Sequence, residues 1–318
     1  MSTDSAVTRH IFGPVPSRRL GISLGVDIIP FKTCSLDCLY CECGRTNHLT
    51  IERRRFTDPA VILAELKAAL AAIAHLDFIT FSGSGEPTLN SDLGRLIRKI
   101  KKLTSIPVAV LTNGTLLYLA EVRHDLLAAD LVLPSLDAAS MTGFQRLNQP
   151  HSGLDIARVI AGLARFRTQY RGQIWLEVFI VAAINDNAAE LAALRRAIGR
   201  IKPDRVQLNT IDRPPACAEI RAASWETLEK IQRQWHDLPV EIIKRTGSRE
   251  EIRLFSLNLE HNLLNTIRRR PLTLDDLVVL TGLEKSELQR YLDVLEKEGH
   301  IASRISGNKI FYAVGKPD

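Results

Sequence analysis

Residues 22–41 read Ile22-Ser23-Leu24-Gly25-Val26-Asp27-Ile28-Ile29-Pro30-Phe31-Lys32-Thr33-Cys34-Ser35-Leu36-Asp37-Cys38-Leu39-Tyr40-Cys41. The first eight are mostly apolar, rich in β-branched side chains and stopped by a proline, which predicts a buried strand. The rest is a loop that presents three thiols with the spacing Cys-x3-Cys-x2-Cys. A strand therefore delivers a concentrated set of sulfur donors, and the fold depends on whether this strand-then-loop unit repeats.

It does repeat. Apolar runs follow at 77–82, 107–112, 130–135, 174–181 and 205–210, with a shorter seventh at 240–243. Helical patterns at 59–74, 92–102, 154–170, 188–200 and 225–235 alternate with them, the first opened by Thr57-Asp58-Pro59 as cap and first-turn proline. Such alternation predicts a parallel sheet covered by helices, either a partial (β/α)6-type TIM-like barrel or a doubly wound sheet. In both, chemistry belongs at the C-terminal ends of the strands. Polar residues collect there: the thiol loop after the first strand, Gly83-Ser84-Gly85-Glu86-Pro87 after the second, Asn113-Gly114 after the third, then Ser135, Asp137 and Asn209.

The pattern changes after residue 258. Segments 259–270, 273–280 and 285–299 read as helices, with Gly282 ending the second, and a hairpin of 301–305 and 309–314 turns at Ser306-Gly307-Asn308. This resembles a winged helix-turn-helix domain. The organisation read from sequence is thus a sheet domain over 1–258 and a small domain over 259–318.

With 318 residues and 45% hydrophobic residues, the chain has material for a large core. The first ten residues hold no signal-like apolar run, and no stretch of about 18 uncharged apolar residues occurs, so the expected location is the cytoplasm. Five cysteines are too few for a disulfide framework, and three of them fall within eight residues, which suits a metal or cluster site. The net charge is +6, and its excess lies before residue 259, because the last sixty residues carry nine basic and nine acidic side chains. That balance is compatible with an anionic substrate or RNA, and equally with an ordinary solvated surface.

Cubane clusters normally take four thiolates, so three leave one iron open to an exogenous ligand, much as a catalytic zinc keeps an open position. The alternatives are a structural zinc site with Cys43 as fourth ligand and an inert electron-transfer cluster. The x3-x2-x1 series is unlike common zinc-ribbon spacing.

The loop resembles the Cys-x3-Cys-x-aromatic-Cys motif of the radical S-adenosylmethionine (SAM) superfamily, with Tyr40 in the aromatic place. The resemblance implies a partial barrel, a [4Fe–4S] cluster on Cys34, Cys38 and Cys41, and SAM on the open iron. It also implies an external one-electron donor of flavodoxin or ferredoxin type. Cleavage of SAM would give a 5′-deoxyadenosyl radical that takes hydrogen from substrate. Ser84-Gly85-Glu86-Pro87 is similar to the superfamily's Gly-Gly-Glu-Pro motif with its first glycine replaced, and implies cofactor contacts at Gly83, Gly85 and Glu86. Ser135 and Asp137 match the segment near the cofactor's ribose and carboxylate. Asn113 and Asn209 occupy comparable strand ends, and Tyr40 matches the position that covers the adenine side.

Residues 13–21 and 207–215 resemble segments of the wybutosine-synthesis-like group of that superfamily. No cysteine precedes Cys34, so the second cluster of wybutosine-type synthases is not expected, and Cys43 and Cys217 read as bystanders. Arg18, Arg19 and Arg213 suggest an entrance for phosphate or carboxylate groups, whereas Arg53, Arg54 and Arg55 read more readily as a solvated face. Substrate classes left open are an RNA base, a protein glycine and a small metabolite. The competing reading is an iron–sulfur redox-sensing nucleic-acid-binding regulator. Its candidate recognition helix, 284–298, has a net charge of −2, which disfavours DNA.

Overall fold

The computed structural model describes residues 10–73, 75–243, 259–281, 283 and 285–314. Strands β1 (Ile11–Ser17) and β2 (Gly21–Val26) form a hairpin, and the two-residue strands β3 (Thr33–Cys34) and β4 (His48–Leu49) bracket the thiol loop. Then come α1 (Pro59–Ala72), β5 (Phe78–Phe81), α2 (Leu93–Leu103), β6 (Val108–Thr112), α3 (Ala120–Leu126) and β7 (Leu131–Pro134). They are followed by α4 (Met141–Asn148), α5 (Ile156–Gln169), β8 (Gln173–Phe179), α6 (Ala188–Ile201), β9 (Arg205–Asn209), α7 (Trp225–Gln234) and β10 (Val240–Ile242).

One sheet takes the order β1-β2-β5-β6-β7-β8-β9-β10, with β2 to β10 parallel and β1 antiparallel at one edge. Leu24, Val26, Ile79, Phe81, Val110, Val132, Leu176, Val178, Val206 and Leu208 are fully buried, in one core with Ile62, Leu66, Leu96, Ile100, Phe166 and Ile198 from the helices. Strands covered on both faces read as continuous apolar runs, which is why they were legible. The predicted cap is present: Asp58 accepts from the Ala60 amide, with Pro59 in the first turn of α1.

Two features went unread. β1 holds Pro14 and Pro16, which argue against a strand except at an edge, and an edge is where it lies. Helices α3 and α4, of seven and eight residues, are too short to show a periodic face.

The C-terminal residues form α8 (Leu259–Arg269), β11 (Leu272–Thr273), α9 (Leu274–Thr281), α10 (Lys285–Lys297), β12 (Ile301–Ser306) and β13 (Lys309–Val314). The strands make a separate antiparallel sheet, β11-β13-β12. Gly307, at φ 57°, supplies the left-handed position of the expected turn. The three predicted helices and the hairpin are present, β11 is additional, and Gly282 lies outside the described residues. The domain boundary read at 258/259 abuts residues 244–258, also outside them.

Leu263, Ile267, Leu277, Leu288, Leu292, Ile301 and Tyr312 form this module's core, which takes in Phe12 and Val15 of β1. The module is thereby seated on one edge of the large sheet. Among the described residues no helix is long and apolar enough to cross a membrane.

Candidate active site

The thiol loop leaves β2 and crosses the C-terminal end of the sheet. Its backbone is pinned from below: the Asp37 and Leu39 amides donate to Asn148 and Leu147 carbonyls at 3.0 Å each, and the His151 amide donates to Ser35 O at 3.0 Å. Cys34, Cys38 and Cys41 are free and half-buried. Each sulfur receives a side-chain nitrogen donor from a different place: Asn113 Nδ2 on Cys34 Sγ at 3.5 Å, Asn148 Nδ2 on Cys38 Sγ at 3.3 Å, and Lys32 Nζ on Cys41 Sγ at 3.1 Å.

These environments set the thiol chemistry. Burial pushes Cys34 up to about 12, and burial, reinforced by Asp137, raises Cys38. A hydrogen bond from Cys43 and the charge of Lys32 outweigh burial at Cys41 and bring it down to about 6. Loading a metal group on such a trio releases protons. Among the described residues no three His, Cys, Asp or Glu side chains converge on a single-ion site. A mononuclear zinc needs that convergence, whereas a cubane meets each thiolate at a separate iron.

Gly83 and Gly85 serve the loop. A Cβ on Gly83, at φ +146°, would stand 2.3–2.6 Å from the Asp27 carboxylate, and one on Gly85 would meet Thr33 O at 2.3 Å. Ser84 binds the same carboxylate, donating N and Oγ to Asp27 Oδ2 at 3.2 and 2.9 Å. The Lys32 amide reaches Ser84 O and the Glu86 amide reaches Thr33 O, so the two loops are stitched together. The close backbone approach expected for a ligand is thus made first by the chain's own thiol loop.

Glu86 is buried and accepts four bonds, from Thr88 N at 3.0 Å, Thr88 Oγ1 and Thr112 Oγ1 at 2.6 Å, and Asn113 N at 2.7 Å. Burial still raises its pKa against those donors. Fixing the amide of Asn113 aims its side chain, which donates to Ser35 Oγ at 2.8 Å as well as to Cys34. Asp137 accepts from Asn148 Nδ2 and Phe179 N at 2.9 Å each and from the Tyr40 hydroxyl. Burial lifts it to about 6. Tyr40 stacks on Phe179 with ring centroids 4.0 Å apart.

Ser135 and Asn209 come together on Glu177, which lies between them on β8: Asn209 Nδ2 donates to Oε1 at 2.9 Å, and Ser135 Oγ to Oε2 at 3.5 Å. Arg19 Nη1 pairs with the same carboxylate at 3.0 Å. Burial alone would raise Glu177, but Arg19, Asn209 and Arg18 hold it below the usual range. Sequence reasoning missed Glu177 and Asn148. The signal for Glu177 was a lone charge inside the apolar run 174–181, whereas Asn148 had none, since its role depends on where α4 ends.

Cys43 Sγ sits 2.6 Å from Arg269 O, and Cys217 donates to Glu219 Oε2 at 2.9 Å. Arg53 is not a solvated residue, because it is largely buried and pairs with Asp125 at 2.5 Å. A cavity of about 480 Å³ lined by Lys67, Leu70, His75, Leu103 and Ile106 touches none of the groups above.

The radical SAM superfamily profile matches residues 28–198, which contain the thiol loop and all the strand ends except Asn209. The chain belongs to the radical SAM superfamily. It is a radical SAM enzyme, and the superfamily's cofactors are a [4Fe–4S] cluster and SAM. It is 39% identical over 314 residues to the GTPase Obg of Brachyspira hyodysenteriae, a match covering 96% of this chain and 45% of that longer protein. It is 32% identical over 310 residues to a UPF0026 protein of Methanocaldococcus jannaschii, covering 95% and 94% of the two chains. A radical SAM methyltransferase from Sphaerobacter thermophilus shares the fold with a TM-score of 0.53 at 18% identity, over 69% of this radical SAM chain and 65% of that one.

Proposed function

We propose that Cys34, Cys38 and Cys41 hold a [4Fe–4S] cluster whose fourth iron receives SAM, and that the chain is a cytoplasmic enzyme of the wybutosine-synthesis-like group. The sheet is read as a partial (β/α)6-type barrel and residues 259–318 as a winged-helix domain. Bound there, the cluster and SAM supply one-electron cleavage of a sulfur–carbon bond, which yields a 5′-deoxyadenosyl radical able to take hydrogen from a substrate. The electron comes from an external donor of flavodoxin or ferredoxin type.

The chain's own residues orient and insulate. Asn113, Asn148 and Lys32 each present a nitrogen donor to one sulfur, a contact that stabilises thiolate charge. Glu86 and Asp137 are positioning residues, because each spends its carboxylate on the chain and thereby fixes one of those asparagines. Gly83, Gly85, Ser135 and Asn209 line the face left for SAM, with the Tyr40 ring on its adenine side. The substrate is an RNA base, a protein glycine or a small metabolite.

The observation that carries this reading is a donor set of three half-buried thiols with three separate nitrogen donors at the C-terminal end of a parallel sheet. Anaerobic reconstitution with iron and sulfide, then dithionite and SAM, tests it. The expected product is 5′-deoxyadenosine. Release of no nucleoside alongside a shift of duplex DNA would replace the enzyme with an iron–sulfur regulator, and protein that takes up no iron would overturn both readings. RNA recovered from a pull-down of the full chain would narrow the substrate.

A further inference from the structure

The C-terminal module touches more than β1. The end of α8 and the turn into β11 reach the thiol loop: Arg269 Nε bonds Asp27 Oδ2 at 3.2 Å, and its carbonyl meets Cys43. On the far side, Arg213, in the segment after β9, donates Nη1 to the Pro271 carbonyl. It also stands 3.4 Å from Asp276 and 3.5 Å from Glu42, which lies between Cys41 and Cys43. The module thus bridges the β1 edge and the segment after β9, with the thiol loop beside it.

Three guanidinium groups gather at this junction. Arg213 is 7% exposed and holds the carbonyl of Pro271, Arg18 lies 3.6 Å from Asp212, the residue before Arg213, and half-buried Arg270, the residue before Pro271, feels the charge of both arginines. Burial, followed by the charge of Arg213, pushes Arg270 down to about 10. A guanidinium carries five N–H donors, so the trio offers about fifteen. Among the described residues these make two hydrogen bonds, both from Arg213 Nη1, and Arg270 makes none. The carboxylates nearby do not saturate them. Glu42 and Asp276 are shared with Arg213 at distances beyond a charge-assisted bond, and Asp276 is already held by the Thr273 amide and hydroxyl at 3.0 and 2.8 Å.

We propose that Arg18, Arg213 and Arg270 form a site for a substrate oxyanion, a phosphate or carboxylate group, at the junction of the large sheet and the C-terminal module. A planar fork binds such groups in bidentate fashion, and like-charged forks gathered at one junction favour a multiply charged one. The role as a substrate site rests on the proposed radical SAM chemistry, but the binding of the anion does not. The module then completes the site by contributing Arg270.

The test uses the full chain without cluster or SAM. Titration calorimetry and thermal shift are read against inorganic pyrophosphate in one arm and succinate in the other. At least one probe is expected to bind saturably and raise Tm, pyrophosphate alone marking a phosphate substrate and succinate alone a carboxylate. Arg270→Met should weaken it about tenfold or more, the loss expected for one charge-assisted fork, while Arg268→Met, on an exposed neighbour, should not. Circular dichroism verifies folding, and Arg18→Met gives the same reading should Arg270→Met not fold. Binding of neither probe to folded wild-type chain, or wild-type affinity in the folded variant, overturns the proposal. Nucleoside release by reconstituted wild type reports separately on the radical chemistry, so either idea fails without the other.

Discussion

The surroundings of the thiol loop and the junction with the C-terminal module are both rich in charged side chains, yet they are built in opposite ways. Beside the thiols, Glu86, Asp137 and Asp27 spend their oxygens on the chain, and every asparagine has an assigned partner. At the junction, Arg18 and Arg213 face carboxylates at 3.4 Å or more, and Arg270 shares Glu42 and Asp276 with Arg213 without a hydrogen bond among the described residues. Saturated groups make a rigid frame, since a buried donor or acceptor without a partner is costly. Unsaturated groups near a reactive centre are where a ligand gains most.

The contrast is broken most severely at Glu86. Glu86→Ala strands the donors of Thr88, Thr112 and Asn113, and is expected to cost about 3 kcal/mol or more in urea unfolding. A loss under about 1 kcal/mol would show that the frame is not saturated in solution. Gly83→Ala comes next, at about 2 kcal/mol, because its Cβ would collide with the Asp27 carboxylate at a backbone angle that disfavours side chains.

Titration sharpens the comparison further. With Asp137 lifted from 3.8 to about 6 by burial, the folded chain keeps a proton in that interval which the unfolded chain has given up. Its contribution to stability is full on the acid side and falls as pH rises through the folded value. The unfolding free energy of wild type minus that of Asp137→Asn should therefore decrease from about pH 4 to about pH 7. A flat difference would mean that Asp137 is not buried as described. The smallest effect belongs to the other region: Arg270→Met should shift the urea midpoint little, since the charge it removes is opposed by Arg213 and Arg18 as well as attracted by Glu42 and Asp276 and makes no hydrogen bond among the described residues. A large loss of stability would show that Arg270 is part of the frame.

Local signals were legible and tertiary ones were not. The thiol spacing and the apolar runs sit within a few residues each, so the parallel sheet and Cys34, Cys38 and Cys41 could be read directly. Gly83 and Gly85 announced a close approach, but only the fold shows that the partner is Asp27 and Thr33. Asn148 acquires its place from the end of α4, and β1 was hidden by prolines that an edge tolerates. Arg270 could not be read at all, because its neighbours Arg18 and Arg213 lie about 250 and 60 residues away and meet it only when the module is seated.

Electron paramagnetic resonance of the reduced, reconstituted protein, recorded with and without SAM, bears most directly on the three-thiolate assignment. The account predicts a [4Fe–4S] signal that changes when SAM is added, persists in Cys43→Ala and vanishes with the bound iron in Cys34→Ala, Cys38→Ala and Cys41→Ala. A signal indifferent to SAM, or one lost in Cys43→Ala, would mean that no iron is left open and would contradict it.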